Sequence, residues 1–154
     1  MEEKNGFKVL GYGVELKSNY MDQDGINKEK EDFLKKVFED GTVNKLKSVA
    51  ENEEIFLVNE AYDNKMMHYI GVETEKNVAD ATRVISFPKG SYVVVEGEGK
   101  SMDELSKALT AQTFGQVLYS IPDKVYAGGP NTVVVLNEAN GTFKGEMWVP
   151  VVDK

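Results

Sequence analysis

Apolar and polar residues along the chain follow two periods, and their succession reads β-α-β-β twice over. Residues 7–17 predict a first strand, with Val9, Leu10, Tyr12, Val14 and Leu16 in partial alternation. Gly11 and Gly13 within it predict a bulge or a close approach of backbone. Residues 18–25 are polar turn material. Over 27–39, Phe33, Leu34, Val37 and Phe38 form the stripe of an amphipathic helix. Asp40-Gly41 fits its end, and Val43, Leu46 and Val49 predict one more short helical piece. A second strand is expected over 54–61, a hairpin turn at Asp63-Asn64, and a third strand over 65–75.

The same order then restarts. Residues 82–98 hold the fourth strand, placed at 91–97 after a turn at Pro88-Lys89-Gly90. Ser101-Met102-Asp103-Glu104 reads as a capping box, opening a helix that turns Met102, Leu105, Leu109, Val117 and Leu118 inward. A loop through Ile121 and a turn at 127–131 lead to a fifth strand over 132–137. Asn140-Gly141 turns the chain into the last strand. The halves share short identities. Val58-Asn59-Glu60-Ala61 recurs as Leu136-Asn137-Glu138-Ala139, and the segment from Gly11 aligns with that from Ser91. On that register Met67-His68-Tyr69 matches Glu146-Met147-Trp148. We therefore expect two βαββ units, residues 7–75 and 82–152, paired about a pseudo-two-fold axis into one antiparallel sheet with the helices on one side.

The last strand carries the chemistry. Alternation sends Met147, Val149 and Val151 to one face, an all-apolar set suited to a core. Glu146, Trp148 and Pro150 share the other face, a charge beside the chain's only tryptophan. A carboxylate in apolar surroundings must find a partner, change its pKa or serve a ligand. Taken alone, Glu146 reads as a sheet carboxylate paired with a lysine, and Trp148 as core or as a stacking wall.

Composition narrows the classes. The 154 residues suffice for one domain, and 41% hydrophobic content is ordinary for a globular chain. The absence of cysteine excludes disulfides and thiolate chemistry. A single histidine, His68, excludes a multi-histidine metal centre, and no loop has calcium-site spacing, so neither metal nor cofactor is expected. His68 lies opposite Tyr69 on its strand and reads as core or surface. Eighteen basic against twenty-six acidic residues give a net charge of −8, which repels phosphate backbones and argues against direct nucleic-acid binding. No apolar run approaches a membrane span and the first residues form no signal core, so a cytoplasmic protein is expected.

The run from Phe87 through Pro88, Gly90 and Tyr92 to Val94, then a helix, then Glu146-x-Trp148-x-Pro150, resembles the GyrI-like small-molecule-binding superfamily. The superfamily includes the effector-binding domains of bacterial multidrug-sensing regulators and free-standing proteins. With no DNA-binding segment before Phe7, a free-standing member is expected. The resemblance implies a ligand cleft between the halves, with Glu146 at its floor and Tyr69 reaching it from the matching strand. Trp148, Met67, Tyr126, Tyr119 and Phe114 are candidate walls, each also compatible with plain core. The expected ligand is hydrophobic and planar. The expected chemistry is water activation by Glu146, assisted by Tyr69, to open a cyclopropane-bearing DNA alkylator. The alternative is non-catalytic drug binding, or a protein partner such as gyrase.

Overall fold

The computed structural model describes residues 1–78 and 80–154. Nine strands form one antiparallel sheet: β1 (Glu2–Lys4), β2 (Phe7–Glu15), β3 (Ile55–Tyr62), β4 (Lys65–Glu73), β5 (Arg83–Phe87), β6 (Gly90–Gly99), β7 (Lys124–Tyr126), β8 (Asn131–Ala139) and β9 (Thr142–Asp153). Helices α1 (Gln23–Glu39) and α2 (Thr42–Lys47) fill the first connection and α3 (Met102–Gln112) the second. The sheet order β6-β9-β8-β3-β4-β2 is a palindrome of the two βαββ units, with β3 and β8 at its centre. β1 and β5 extend the two flanks, and β7 pairs with β9.

Local chemistry accounts for the elements. Asp22 caps α1 by accepting from the Gly25 N–H, one turn earlier than the apolar stripe alone predicts. Ser101 caps α3 by accepting from the Glu104 N–H at 3.0 Å, while Glu104 reaches back to the Lys100 N–H. Both hairpin turns take the left-handed conformation that Asn and Asp tolerate, at Asp63-Asn64 and at Asn140-Gly141. Three short strands, β1, β5 and β7, escape a periodicity reading, because three to five residues give too few alternations to register.

The internal alignment needs two corrections. Gly11 faces Tyr69 and Ile85 on one side of the sheet, whereas Val93 and Val95, in alternation with Ser91, pack on the other. A shift of one residue inverts every side chain, so Tyr92, which shares the Gly11 face, is the structural counterpart. Val58 is fully buried, but Leu136 lies at a break in the β8–β9 ladder and is about one-third exposed, so the repeated tetrapeptides are not equivalent positions.

Each face of the sheet has its own core. The helices cover Leu10, Leu57, Ile70, Val133, Met147 and Val149. The other face gathers Val9, Phe56, Val58, Tyr69, Ile85, Phe87, Tyr92 and Val134, with no helix packed on this cluster among the described residues. The curl of the sheet explains how this second core is closed. β2 and β9 stand four strand spacings apart, roughly 19 Å on a flat sheet. Yet the Phe7 and Trp148 rings meet edge to face at 5.7 Å between centroids. The sheet is a half-barrel, and its hollow is filled by aromatic rings.

Candidate ligand-binding site

Glu146 and Trp148 lie on the hollow face, as alternation requires. The Trp148 indole Nε1 donates to Glu146 Oε1 at 2.8 Å, which ties the ring to the carboxylate. Phe7 and Phe56 each pack edge-on to the indole at 5.7 Å. Across the ladder Glu146 faces Glu96, so two like charges sit on directly opposed positions, an arrangement that disfavours the sheet unless a cation compensates. Burial, then the charges of Glu73 and Glu146, pushes the Glu54 carboxyl above its usual range, while Lys4 opposes the shift. This end of the hollow is thus aromatic and strongly acidic.

A cation is already there. β1 runs along the edge of β6 with Lys4 opposite Gly90, and this register turns Lys4 into the hollow. Its Nζ stands 3.8 Å from the centroid of the Trp148 ring, over the negative face of the π system. Glu2 lies 3.6 Å from the same ammonium, and the Lys4 side chain is only 17% exposed. Lys4 gave no sequence signal, since nothing in Glu-Glu-Lys specifies a strand or its register. A groove of about 430 Å³ reaches Glu146 from outside, bordered by Glu96, Glu98, Lys144 and Gly145.

Tyr69 shares the face and sits in the same cross-strand row as Trp148, through Val58 and Thr132. Its ring leans the other way, over Gly13 of β2, where any Cβ would overlap it; this is the close approach that Gly13 signalled. The Tyr69 hydroxyl donates to Glu60 Oε1 at 3.0 Å, and Glu60 takes two further bonds from Arg83, at 2.8 and 2.9 Å. Arg83 in turn stacks on the Tyr62 ring at 3.7 Å. Burial first, then the Glu60 bond, raises the Tyr69 phenol well above its ordinary value. The hydroxyl is therefore a neutral donor committed to Glu60, and the hydrogen bonds of Glu146 and Tyr69 are separate.

The remaining candidates divide between faces. Met67 packs against the hollow core. Phe114 and Tyr126 lie on the helix side, ring to ring at 5.5 Å, and border a cavity that Met67 also lines. Tyr119, 84% exposed on the turn after α3, points to solvent and lines neither. The correction has a simple cause: α3 is followed by a wide turn, Thr113–Val117, and a tight one, Leu118–Ser120, whose combined rotation no periodic pattern fixes. His68 is buried on the helix face, edge-on to Phe33, with Nδ1 2.9 Å from Asn59 Oδ1. Another cavity, of about 700 Å³, opens elsewhere on the helix layer, walled by Leu34, Phe38, Ile55, Met102, Leu136 and Phe143, and contains none of the candidate residues.

The family model of integron-associated effector-binding proteins, Cass2, matches residues 1–151. The chain belongs to this family. Its half-barrel is also similar to SAV2435 bound to tetraphenylphosphonium, with a TM-score of 0.78, 15% identity, and coverage of 98% of this chain and 92% of that one. The integron cassette protein VCH_CASS2 from the mobile metagenome of Vibrio cholerae aligns with a TM-score of 0.58 and 12% identity, over 97% and 94% of the two chains. No curated protein matches it. Membership of the Cass2 family places the chain among GyrI-like effector-binding proteins, whose fold is that of small-molecule binders. None of its helices, among the described residues, is long and apolar enough to cross a membrane.

Proposed function

We propose that this Cass2-family protein binds an aromatic organic cation on the Glu146–Trp148 face, and that the ligand takes the position of the Lys4 ammonium. The observation that carries this reading is the Lys4 Nζ over the indole, with the Glu146 carboxylate bonded to the same ring. A cation on an aromatic face beside a carboxylate is the recognition chemistry a quaternary or phosphonium ligand needs. Glu54, Glu73 and Glu96 add negative potential to the same end of the hollow. The structural similarity to a protein holding tetraphenylphosphonium, itself a four-ring aromatic cation, supports the same class of ligand.

Because Trp148 is the sole tryptophan, its emission reports directly on the site. Titration with tetraphenylphosphonium should change that emission saturably, and calorimetry should give a matching affinity. Glu146→Gln should weaken binding at least tenfold, about 1.4 kcal/mol. The reading is overturned if no saturable change occurs, or if Glu146→Gln and Trp148→Phe both bind as tightly as the parent.

Hydrolytic opening of a cyclopropane ring is the second reading. It is favoured by one observation: Glu146 borders the outside groove, and its Oε2 makes no hydrogen bond among the described residues, so water can meet it there. The base would act without Tyr69, whose hydroxyl donates its hydrogen bond to Glu60. A cyclopropane-bearing alkylator incubated with protein would be opened catalytically by the parent and left intact by Glu146→Gln. Stoichiometric binding without product returns the assignment to binding alone.

A further inference from the structure

The helix face of the sheet holds a second, differently charged cavity. It encloses about 640 Å³ between α1, α3 and the end of the β3–β4 hairpin, within the range of small-molecule sites. A groove of about 500 Å³ between α1 and α3 continues it, sharing Gln23, Lys30, Thr110 and Phe114. Leu16, Ile26, Met66 and Phe114 supply its apolar wall.

Its charge is only partly offset. Lys30 reaches both volumes from α1, and no carboxylate lies within ion-pair distance of it among the described residues. The two carboxylates that border the cavity are already held elsewhere, Glu60 by Arg83 at 2.8 Å and Asp103 by Lys107 at 3.6 Å. Burial lowers the Lys30 amine from its ordinary value, and the charge of Asp103 opposes the shift without reversing it. Beside it the Thr110 hydroxyl is buried with no hydrogen-bond partner, and the Thr113 hydroxyl on the next turn is likewise unmet.

The floor, by contrast, is fixed. Asn59 bonds His68, donates to Asn131 at 3.0 Å, and Asn131 donates to the Tyr126 hydroxyl at 3.1 Å. The Tyr126 hydroxyl donates in turn to the Gly129 carbonyl. A polar network satisfied to its last member is rigid, and it leaves Lys30 and Thr110 as the groups with bonding capacity to spare.

We infer that this cavity is a second binding site, for a small organic carboxylate with an apolar body, with Lys30 as its counter-ion and the Thr110 hydroxyl as a second donor. The carboxylate supplies the missing charge and acceptors, while the apolar body lies along Ile26, Met66 and Phe114. Neither Glu146 nor Trp148 lines the cavity or the groove that continues it.

Calorimetry with 2-naphthoate at low salt tests the inference, with 2-naphthylmethanol as its neutral counterpart. The parent should bind the acid and bind the alcohol at least tenfold more weakly. Lys30→Met, which keeps the stem and removes a desolvated charge, should fold as well as the parent and lose the acid at least tenfold. Lys30→Arg should retain it within about threefold, and Glu146→Gln should leave it unchanged. Absence of naphthoate binding to the parent overturns the inference. So does equal binding of acid and alcohol, equal binding by Lys30→Met, or loss of binding in Glu146→Gln with retention in Lys30→Met.

Discussion

The ammonium of Lys4 stands 3.8 Å from the centroid of the Trp148 ring, although the two residues lie 144 positions apart and on strands that never pair. β6 brings them together: it pairs with β1 on one side and with β9 on the other, so Lys4 and Trp148 reach into the hollow from its two neighbours. A half-buried cation–π contact of this kind contributes about 1–2 kcal/mol. The same contact competes with any cationic ligand for the indole.

Removing the internal cation should therefore favour an external one. Lys4→Met keeps most of the apolar stem and removes the charge. Tetraphenylphosphonium should bind this variant at least threefold more tightly than the parent, and Lys4→Arg should bind it no better than the parent. Fluorescence titration of Trp148 measures both. An unchanged affinity in Lys4→Met would mean that the ligand does not use the indole face that Lys4 covers.

Gly13 is a packing requirement. Any side chain there overlaps the Tyr69 ring, which is fully buried and cannot swing out without abandoning Glu60. Gly13→Ala should destabilise the fold by about 1–3 kcal/mol, read from urea unfolding. Because the strain is set by the ring, the same substitution in a Tyr69→Ala background should cost much less.

The Glu60–Arg83 pair is bidentate, with the carboxylate side chain only 9% exposed. Arg83→Met would strand that charge with only the Tyr69 hydroxyl as donor. The expected loss is about 2 kcal/mol. Combining it with Glu60→Gln should recover part of the loss, since a neutral amide tolerates the site. A double-mutant cycle by chemical denaturation gives the coupling.

Burial pushes the His68 imidazole down to about 3 from its ordinary 6.5, helped by the charge of Lys30. The fold accommodates the neutral ring, whereas the unfolded chain takes up a proton below pH 6.5. Stability is therefore unaffected above pH 6.5 and falls as pH drops from there toward 3, by at most about 1.4 kcal/mol per pH unit from this residue. Urea unfolding of the parent should steepen below pH 6.5 relative to His68→Gln, which cannot titrate.

Glu54 has the opposite sense. Its carboxyl is raised in the folded state, so ionisation opposes folding above the folded pKa, and the opposition is relieved as pH falls through that value. Glu54→Gln should raise the melting temperature at neutral pH, and the gain should shrink in acid. A lower melting temperature at pH 7 would mean that Glu54 stabilises Lys4 more than it repels Glu73 and Glu146.

The sequence by itself determined the two βαββ units, the Ser101 cap of α3, the turns at Asp63-Asn64 and Asn140-Gly141, and the partition of β9 into a core face and a face bearing Glu146 and Trp148. Each depends on residues within about a turn or a strand of one another, where alternation and capping act locally. It also marked Gly11 and Gly13 as a bulge or a close approach of backbone, without naming the Tyr69 ring that packs over Gly13. The tertiary structure decided the rest. The curl that carries Phe7 onto Trp148, the register that lays Lys4 over the indole, and the commitment of Tyr69 to Glu60 and Arg83 all depend on strands paired across long separations. So does the placing of Phe114 and Tyr126 beside Lys30 on the helix face. Side-chain alternation says which residues share a face of one strand. Only the folded sheet decides which distant strand that face will meet.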